Sequence, residues 1–280
     1  MSSYNVTRFK EIFEKNFNYI ASFLRNVEKT PTKTALIDTD TGRSWSYKEL
    51  NEEANKFAHA LLKDGVKQSD VIMYQLMNIP EFAFIYLGCQ KIGTVNSPIN
   101  FRFSSGEIAY TIDDSKPVVF IFDISLKDAV KDALNLSKHK PKRVIYIGKG
   151  ECDFAVQYQS YVEGMQVNEP MEPPQNIYSE VSRLYTSGTT GRPKGVPLNN
   201  INEVLTALDV IISLGLRKDD ILLNLSPWFH RGGIHIAGPG PGLYLGASIA
   251  SMKVFYPKPT LETIEKYKIS FIVGVPTMYK

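Results

Sequence analysis

The chain has 280 residues, 43% apolar and 22% charged, with 15 Tyr, 15 Phe and 2 Trp; a chain of this length buries about three quarters of the surface its unfolded form exposes, so a large core needs no disulfide or metal staple. That composition excludes wholesale disorder, collagen and coiled coil, and 32 basic against 29 acidic residues, scattered to a net +3, argue against a dedicated nucleic-acid binder. Two cysteines without CxxC spacing, Cys89 and Cys152, fit a reducing compartment. Charges within MSSYNVTRFKEIFEKNF and the lack of an apolar run of about 18 residues lead to the expectation of a cytoplasmic protein with no membrane segment.

Phe9, Ile12, Phe13, Phe17, Ile20, Phe23 and Leu24 recur at helical spacing and predict one or two amphipathic helices at the start. TALID (34–38) and RSWS (43–46) read as a β-ribbon turning through Asp40, Thr41 and Gly42. Ser46 with Glu49 makes a capping box for a helix that Gly65 ends. Strands at 71–77, 94–98, 118–122 and 143–147 then alternate with helices at 80–92, from Ser104 with Glu107 as its cap, and at 126–136. Residues 148–180, with several Gly and Pro and little periodicity, read as a surface connection. Alternation resumes with a strand at 182–186, a loop at 187–195, a helix within 201–214, and a strand at 221–225. A glycine-rich stretch of helical potential follows at 232–246, then a strand at 248–252, a helix at 260–267 and a strand at 271–275. Short apolar strands between helices predict an α/β fold of stacked, mostly parallel sheets flanked by helices. The expected division is a first subdomain over 1–180 and a second over 181–280, incomplete at its C-terminal end.

The densest chemistry is the run Thr186-Ser187-Gly188-Thr189-Thr190-Gly191-Arg192-Pro193-Lys194-Gly195, directly after a predicted strand. Four hydroxyls, three glycines and a lysine offer a polyphosphate backbone N–H groups, hydroxyl donors and a cation. It is not a Walker loop, because Pro193 and Gly195 stand where glycine and Ser or Thr are needed. The plain alternative is a solvated Gly/Ser/Thr linker. His230 and His235 are spaced like a metal pair, but no carboxylate or cysteine accompanies them; a structural histidine is the other bland reading. His59 and His139 read as surface or packing residues. The G-P-G-P-G at 238–242 fails the dinucleotide fingerprint at Leu243, and no G-x-S-x-G is present.

Residue for residue, the loop resembles the signature of the adenylate-forming (AMP-binding) superfamily, which includes acyl-CoA synthetases, luciferases and peptide-synthetase adenylation domains. WSYKELNEEANKFAHALLKDGV, VNSPINFRFSSGEIAYTIDDSKPVVFIFD, SPWFHRGGIHIAGPGPGLYLGAS and FIVGVPTMY extend the resemblance over nearly the whole chain, and the FHRGG form is similar to fatty-acid CoA ligases. The resemblance implies an AMP-forming acid–thiol ligase that converts a carboxylic acid, ATP and coenzyme A into an acyl adenylate and then a thioester, with Mg²⁺. By the same resemblance Thr186, Ser187, Gly188, Thr189, Thr190, Gly191 and Lys194 would embrace the ATP phosphates, with Thr186 near the Mg²⁺. His230 would gate the carboxylate, and Gly232 and Gly233 would let the backbone approach the acyl chain. Asn200 stands where many relatives have His.

Small residues at 232, 233, 237 and 238 point to a roomy tunnel, hence a medium- or long-chain fatty acid or an aromatic acid. No Y-G-x-T-E or T-G-D occurs, and the family's C-terminal lysine domain is absent from the 280 residues. The chain is therefore expected to be an N-terminal portion, inactive alone and open to association with a missing half or with itself. The alternative is a non-catalytic nucleotide- or acyl-binding relative, or one half of a split enzyme acting through a partner.

Overall fold

A computed structural model describes residues 5–171, 176–186 and 192–279, the side chain of Lys15 excepted. Helices α1 (Val6–Asn16) and α2 (Tyr19–Lys29) lead to the ribbon of β1 (Thr34–Asp38) and β2 (Ser44–Ser46). Then come α3 (Tyr47–Lys63), β3 (Val71–Gln75), α4 (Pro80–Ile92), β4 (Val95–Pro98), α5 (Ser105–Ser115), β5 (Val119–Asp123), α6 (Lys127–Leu136) and β6 (Arg143–Ile147). The predicted caps are in place: Ser46 with Glu49 opens α3 and Ser104 with Glu107 opens α5, each as a reciprocal capping box. Gly93, in the left-handed region, ends α4.

The stretch expected to be a plain connection holds β7 (Val156–Gln157) and α7 (Tyr158–Val162). Beyond it lie β8 (Glu180–Thr186), β9 (Lys194–Asn199), α8 (Asn200–Leu214), β10 (Ile221–Asn224), α9 (Arg231–Ile234), α10 (Pro239–Leu245), β11 (Ser248–Ser251), α11 (Pro257–Tyr267) and β12 (Phe271–Val273). Strand β9 falls partly in the expected loop; its Lys-Gly-Val-Pro-Leu-Asn sequence lacks the apolar run of the buried strands because most of it is exposed or half-buried.

Two sheets form, ordered β12-β10-β11-β1-β2 and β7-β6-β5-β3-β4-β8-β9. All neighbours pair in parallel except β1 with β2 and β8 with β9. A boundary at 180/181 does not separate the sheets, since β1 and β2 join the sheet of β10–β12 while β8 and β9 join that of β3–β7.

Helix α4 lies between the sheets, touching β4 of one and β1 of the other, and every residue in it but Glu81 and Lys91 is buried. An all-round apolar helix has no other stable place. Helix α3 packs so closely on it that a Cβ at Gly88 would stand 2.8 Å from Phe57 Cδ1 and 2.9 Å from the Ala54 carbonyl. The main apolar core fills this middle layer; a second packs α5 and α6 on the far face of the longer sheet, and a third packs α11 on the far face of the shorter.

The sheets are also pinned by charge. Lys253, just after β11, donates to Asp123 at the end of β5 at 2.8 Å, and Asp123 accepts from the Ser125 amide at 3.0 Å and hydroxyl at 2.6 Å. Burial by itself would raise the Asp123 carboxyl, but Lys253 and Ser125 outweigh it and hold it below the usual 3.8. A carboxyl depressed in the folded state contributes stability that is present above its unfolded value and lost as pH falls through the folded one. Lys253→Met is therefore expected to cost about 1–3 kcal/mol at pH 7 and progressively less below about pH 4, read as urea midpoints across a pH series.

Candidate functional site

In open α/β sheets the loops at the carboxyl ends of parallel strands carry ligands, and here those of both sheets meet. Residues after β3 and β4 in one sheet, and after β10 in the other, face one another. Asn78, three residues past β3, donates to the Ser226 carbonyl at 3.0 Å and accepts from the Trp228 amide at 2.8 Å. Phe101, past β4, meets Phe229 edge to face with ring centroids 5.4 Å apart. Trp228 is wholly buried against Phe82 of α4, at 5.6 Å.

Strands β8 and β9 form an antiparallel hairpin beside β4, with Thr186 directly opposite Lys194. Ser187, Gly188, Thr189, Thr190 and Gly191 lie outside the described residues. The two ends of that run are well anchored. Tyr185 donates its phenol to Asp114 of α5 at 2.6 Å, and burial first, then the Asp114 carboxylate, pushes that phenol up. Tyr185 and Arg183 lie over Gly195, where a Cβ would be 3.1 Å from each side chain. Arg192 places its guanidinium over the Tyr110 ring of α5 at 5.5 Å. Thr186 and Lys194 are themselves exposed, so a hydroxyl and an ammonium stand free at this end of the hairpin.

The segment after β10 is tied back by the side-chain amide of Asn224. Asn224 Nδ2 donates to the carbonyls of Gly232 (2.9 Å), Gly233 (3.1 Å) and Ile236, and Asn224 Oδ1 accepts from the Ser226 amide at 2.8 Å. Within this clamp α9 makes one turn. His230 is its exposed N-cap, with Nδ1 accepting from the Gly232 amide at 3.1 Å. His235 at the other end is buried, and its Nε2 meets Glu203 Oε2 of α8 at 2.8 Å. The two histidines thus point to different surroundings and do not form a metal pair; among the described residues no group of three or more His, Cys, Asp or Glu could hold a metal ion.

The small residues of this segment have a close-packing reason of their own. A Cβ at Gly233 would lie 1.9 Å from the Pro227 carbonyl oxygen, and one at Gly238 1.9 Å from that of Gly233; Ala237 is buried at φ +49°. Only at Gly232 is the neighbourhood open, His230 Nδ1 at 3.5 Å being the nearest atom. Smallness at 233, 237 and 238 therefore follows from a tight turn and gives no measure of tunnel width.

Asn200, buried at the start of α8, donates to the Asn176 carbonyl at 3.4 Å. His59 reaches the Asn168 carbonyl and His139 that of Pro117, each at 2.9 Å. Asn78, Asn224, Glu203 and Phe101 were not singled out by sequence reasoning. The one signal available was an asparagine closing an otherwise apolar strand in Ile-Leu-Leu-Asn (221–224); the Glu203–His235 contact spans 32 residues and has no local mark.

The family described as AMP-binding enzyme matches residues 23–280. Over 255 residues the chain is 30% identical to the crotonobetaine/carnitine–CoA ligase of Proteus sp. (strain LE138), covering 89% of this chain and 49% of that protein. It is also 30% identical over 257 residues to 4-coumarate–CoA ligase 1 of Petroselinum crispum, covering 90% and 46%. The chain thus spans about half the length of the curated relatives it matches. The crystal structure of the anthranilate CoA ligase AuaEII in complex with anthranoyl-AMP superposes with a TM-score of 0.87 at 23% identity, over 96% of this chain and 52% of that one. No helix among the described residues is long and apolar enough to cross a membrane.

Replacing Asn224 by Ala leaves three carbonyls without their shared donor. Asn224→Ala is expected to lower stability by about 1–3 kcal/mol and to speed amide hydrogen exchange across 230–236; unchanged exchange there would mean that other contacts hold the segment.

Proposed function

Because this chain belongs to the AMP-binding enzyme family, we propose that it carries the phosphate-side and acid-side parts of an AMP-forming acid–CoA ligase. In this reading a carboxylate oxygen attacks the α-phosphorus of ATP, the bond to the bridging oxygen breaks and pyrophosphate leaves. The thiol of coenzyme A then attacks the acyl carbon, AMP departs with the electron pair of the acyl–oxygen bond, and the thiol proton goes to solvent. The attacking carboxylate is already an anion, so no general base is needed for the first step. Catalysis rests on bringing two anions into line and stabilising the charge that develops.

The observation that carries the reading is the hairpin that sets Thr186 opposite Lys194 at the carboxyl end of β8, closing the T-S-G-T-T-G-R-P-K-G run. Lys194, with Ser187, Gly188, Thr189, Thr190 and Gly191, would take the β and γ phosphates, the lysine as a point charge and the loop as backbone and hydroxyl donors. Thr186 would offer an Mg²⁺ ion arriving with the nucleotide its hydroxyl oxygen, and the ion would supply positive charge to the phosphates. His230, exposed beside the open face of Gly232, would meet the carboxylate of the acid. The relatives named above act on carnitine-type and coumaric acids. An aromatic acid, as for the 4-coumarate relative named above, or a medium- or long-chain fatty acid is the proposed substrate class of this chain, and the width of its acid site is left to residues other than Gly233, Ala237 and Gly238.

Lys194→Ala is expected to weaken Mg-ATP binding about ten- to a hundredfold, the worth of a charge-assisted phosphate contact, measured by titration calorimetry. Equal affinities would remove the loop assignment. The purified 280-residue chain is expected to bind Mg-ATP without forming acyl-CoA from ATP, coenzyme A and a panel of acids. Mass-spectrometric detection of acyl-CoA would overturn the inactivity of the isolated chain and leave the ligase reading standing.

A further inference from the structure

Glu203 and His235 form a buried polar contact that the reaction above does not use. The Glu203 carboxylate is 0% exposed on its side chain and the His235 ring 4%. Glu203 Oε2 meets His235 Nε2 at 2.8 Å and accepts from the Tyr86 phenol of α4 at 2.9 Å. Ser182 of β8, short of a full hydrogen bond, also favours the ionised carboxylate. Burial by itself would raise the Glu203 carboxyl; His235, Ser182 and Tyr86 together outweigh it and hold it low. Glu203 Oε1 and His235 Nδ1 are buried with no protein partner. Such a pair is a poor way to gain stability, because two apolar side chains of similar volume often serve as well or better. What it supplies instead is a fixed geometry between the elements that carry it.

Those elements are the two sides of the proposed site. Glu203 lies in the first turn of α8, which follows Asn199, the end of β9 paired with Glu180 of β8; Lys194 stands at the other end of the same strand, opposite Thr186. His235 is the C-cap of α9, whose N-cap is His230. A helix of one turn does not hold itself together, so the placement of His230 is set by what tethers α9: the Asn224 amide at one side and the Glu203–His235 contact at the other. The Tyr19 phenol secures the start of the next helix by donating to the carbonyls of Pro239 at 3.0 Å and Gly240 at 2.7 Å.

We infer that Glu203 and His235 are positioning residues: their contact locks the His230 segment to the Lys194 hairpin, so that the acid side and the phosphate side of the site keep one relative placement. The inference rests on the reading above in taking Lys194 and His230 as the two ends of the site.

The chain has 4 histidines, so ¹⁵N-histidine NMR resolves each ring. Glu203→Gln keeps an acceptor for both Tyr86 and His235 and is expected to leave the His230 signals in place. Glu203→Leu and His235→Leu are expected to shift or broaden the His230 signals and to weaken Mg-ATP binding about tenfold, one charge-assisted contact's worth. The double variant Glu203→Leu/His235→Leu replaces the pair by apolar side chains and is expected to regain wild-type unfolding stability while its His230 signals and Mg-ATP affinity stay altered. A stable double variant with wild-type His230 signals would show the pair to be packing only and would overturn the inference. Should the wild-type chain not bind Mg-ATP, the proposed function fails, and the His230 signals still decide whether the pair positions the segment.

Discussion

The structure depends on one constraint: α4 is apolar on every side and has to be enclosed. A helix with one apolar stripe can lie on a sheet and face water with the rest. Pro80–Ile92, with only Glu81 and Lys91 not buried, requires a sheet on each side, and that requirement fixes the middle layer. The bare Cα of Gly88 lets α3 join it at close range, and the outer helices then cover the far faces of the two sheets. With α4 as common reference, the carboxyl ends of β3 and β4 in one sheet and of β10 in the other come to the same edge, as the bridge from Asn78 to Ser226 and Trp228 shows. The candidate site is thus a consequence of how the sheets are stacked.

Much of this order was legible in the sequence wherever local chemistry decides it. Capping boxes at Ser46 and Ser104 mark helix starts because the side chain and backbone satisfy each other within four residues. Gly65 marks a helix end because the left-handed conformation it takes, at φ +77°, favours glycine. The apolar strands Val119–Asp123 and Arg143–Ile147 stand out because parallel strands covered on both faces need no polar alternation. Strand β9 did not stand out, since an edge strand with a proline at 197 looks like loop to any apolar criterion. Nor was it legible that β1 and β2 would join β11, some two hundred residues away. Register between distant strands is settled by the packing of the whole, which no short window contains.

The site divides in the same way. The T-S-G-T-T-G-R-P-K-G run could be singled out because its residues are contiguous and its hydroxyls, glycines and lysine are groups that suit a polyphosphate. The residues that hold its flanks, Asp114 against Tyr185 and Tyr110 beneath Arg192, and those that hold the segment after β10, Asn78 and Asn224, are ordinary polar and aromatic residues in the sequence. They acquire a role only when the fold delivers them. The glycines of the His230 segment carry the opposite lesson. Their pattern was read as room for a substrate, whereas at 233 and 238 the space is already taken by the carbonyls of Pro227 and Gly233.

That tight turn explains why the segment needs polar tethers at all. A stretch built from Gly232, Gly233, Ala237 and Gly238 has little side-chain surface with which to bury itself, and glycine has more conformational freedom to lose than any other residue. Trp228 before it and Ile234 within it are buried, but the backbone carbonyls around them must be met by donors or left unpaired in the interior. One asparagine amide meets three of them. The His235 ring, at the far side, ties the same turn to a different helix. A loop whose geometry is specified by hydrogen bonds can present a histidine at its rim in one orientation while its own residues remain small enough to stay out of the way.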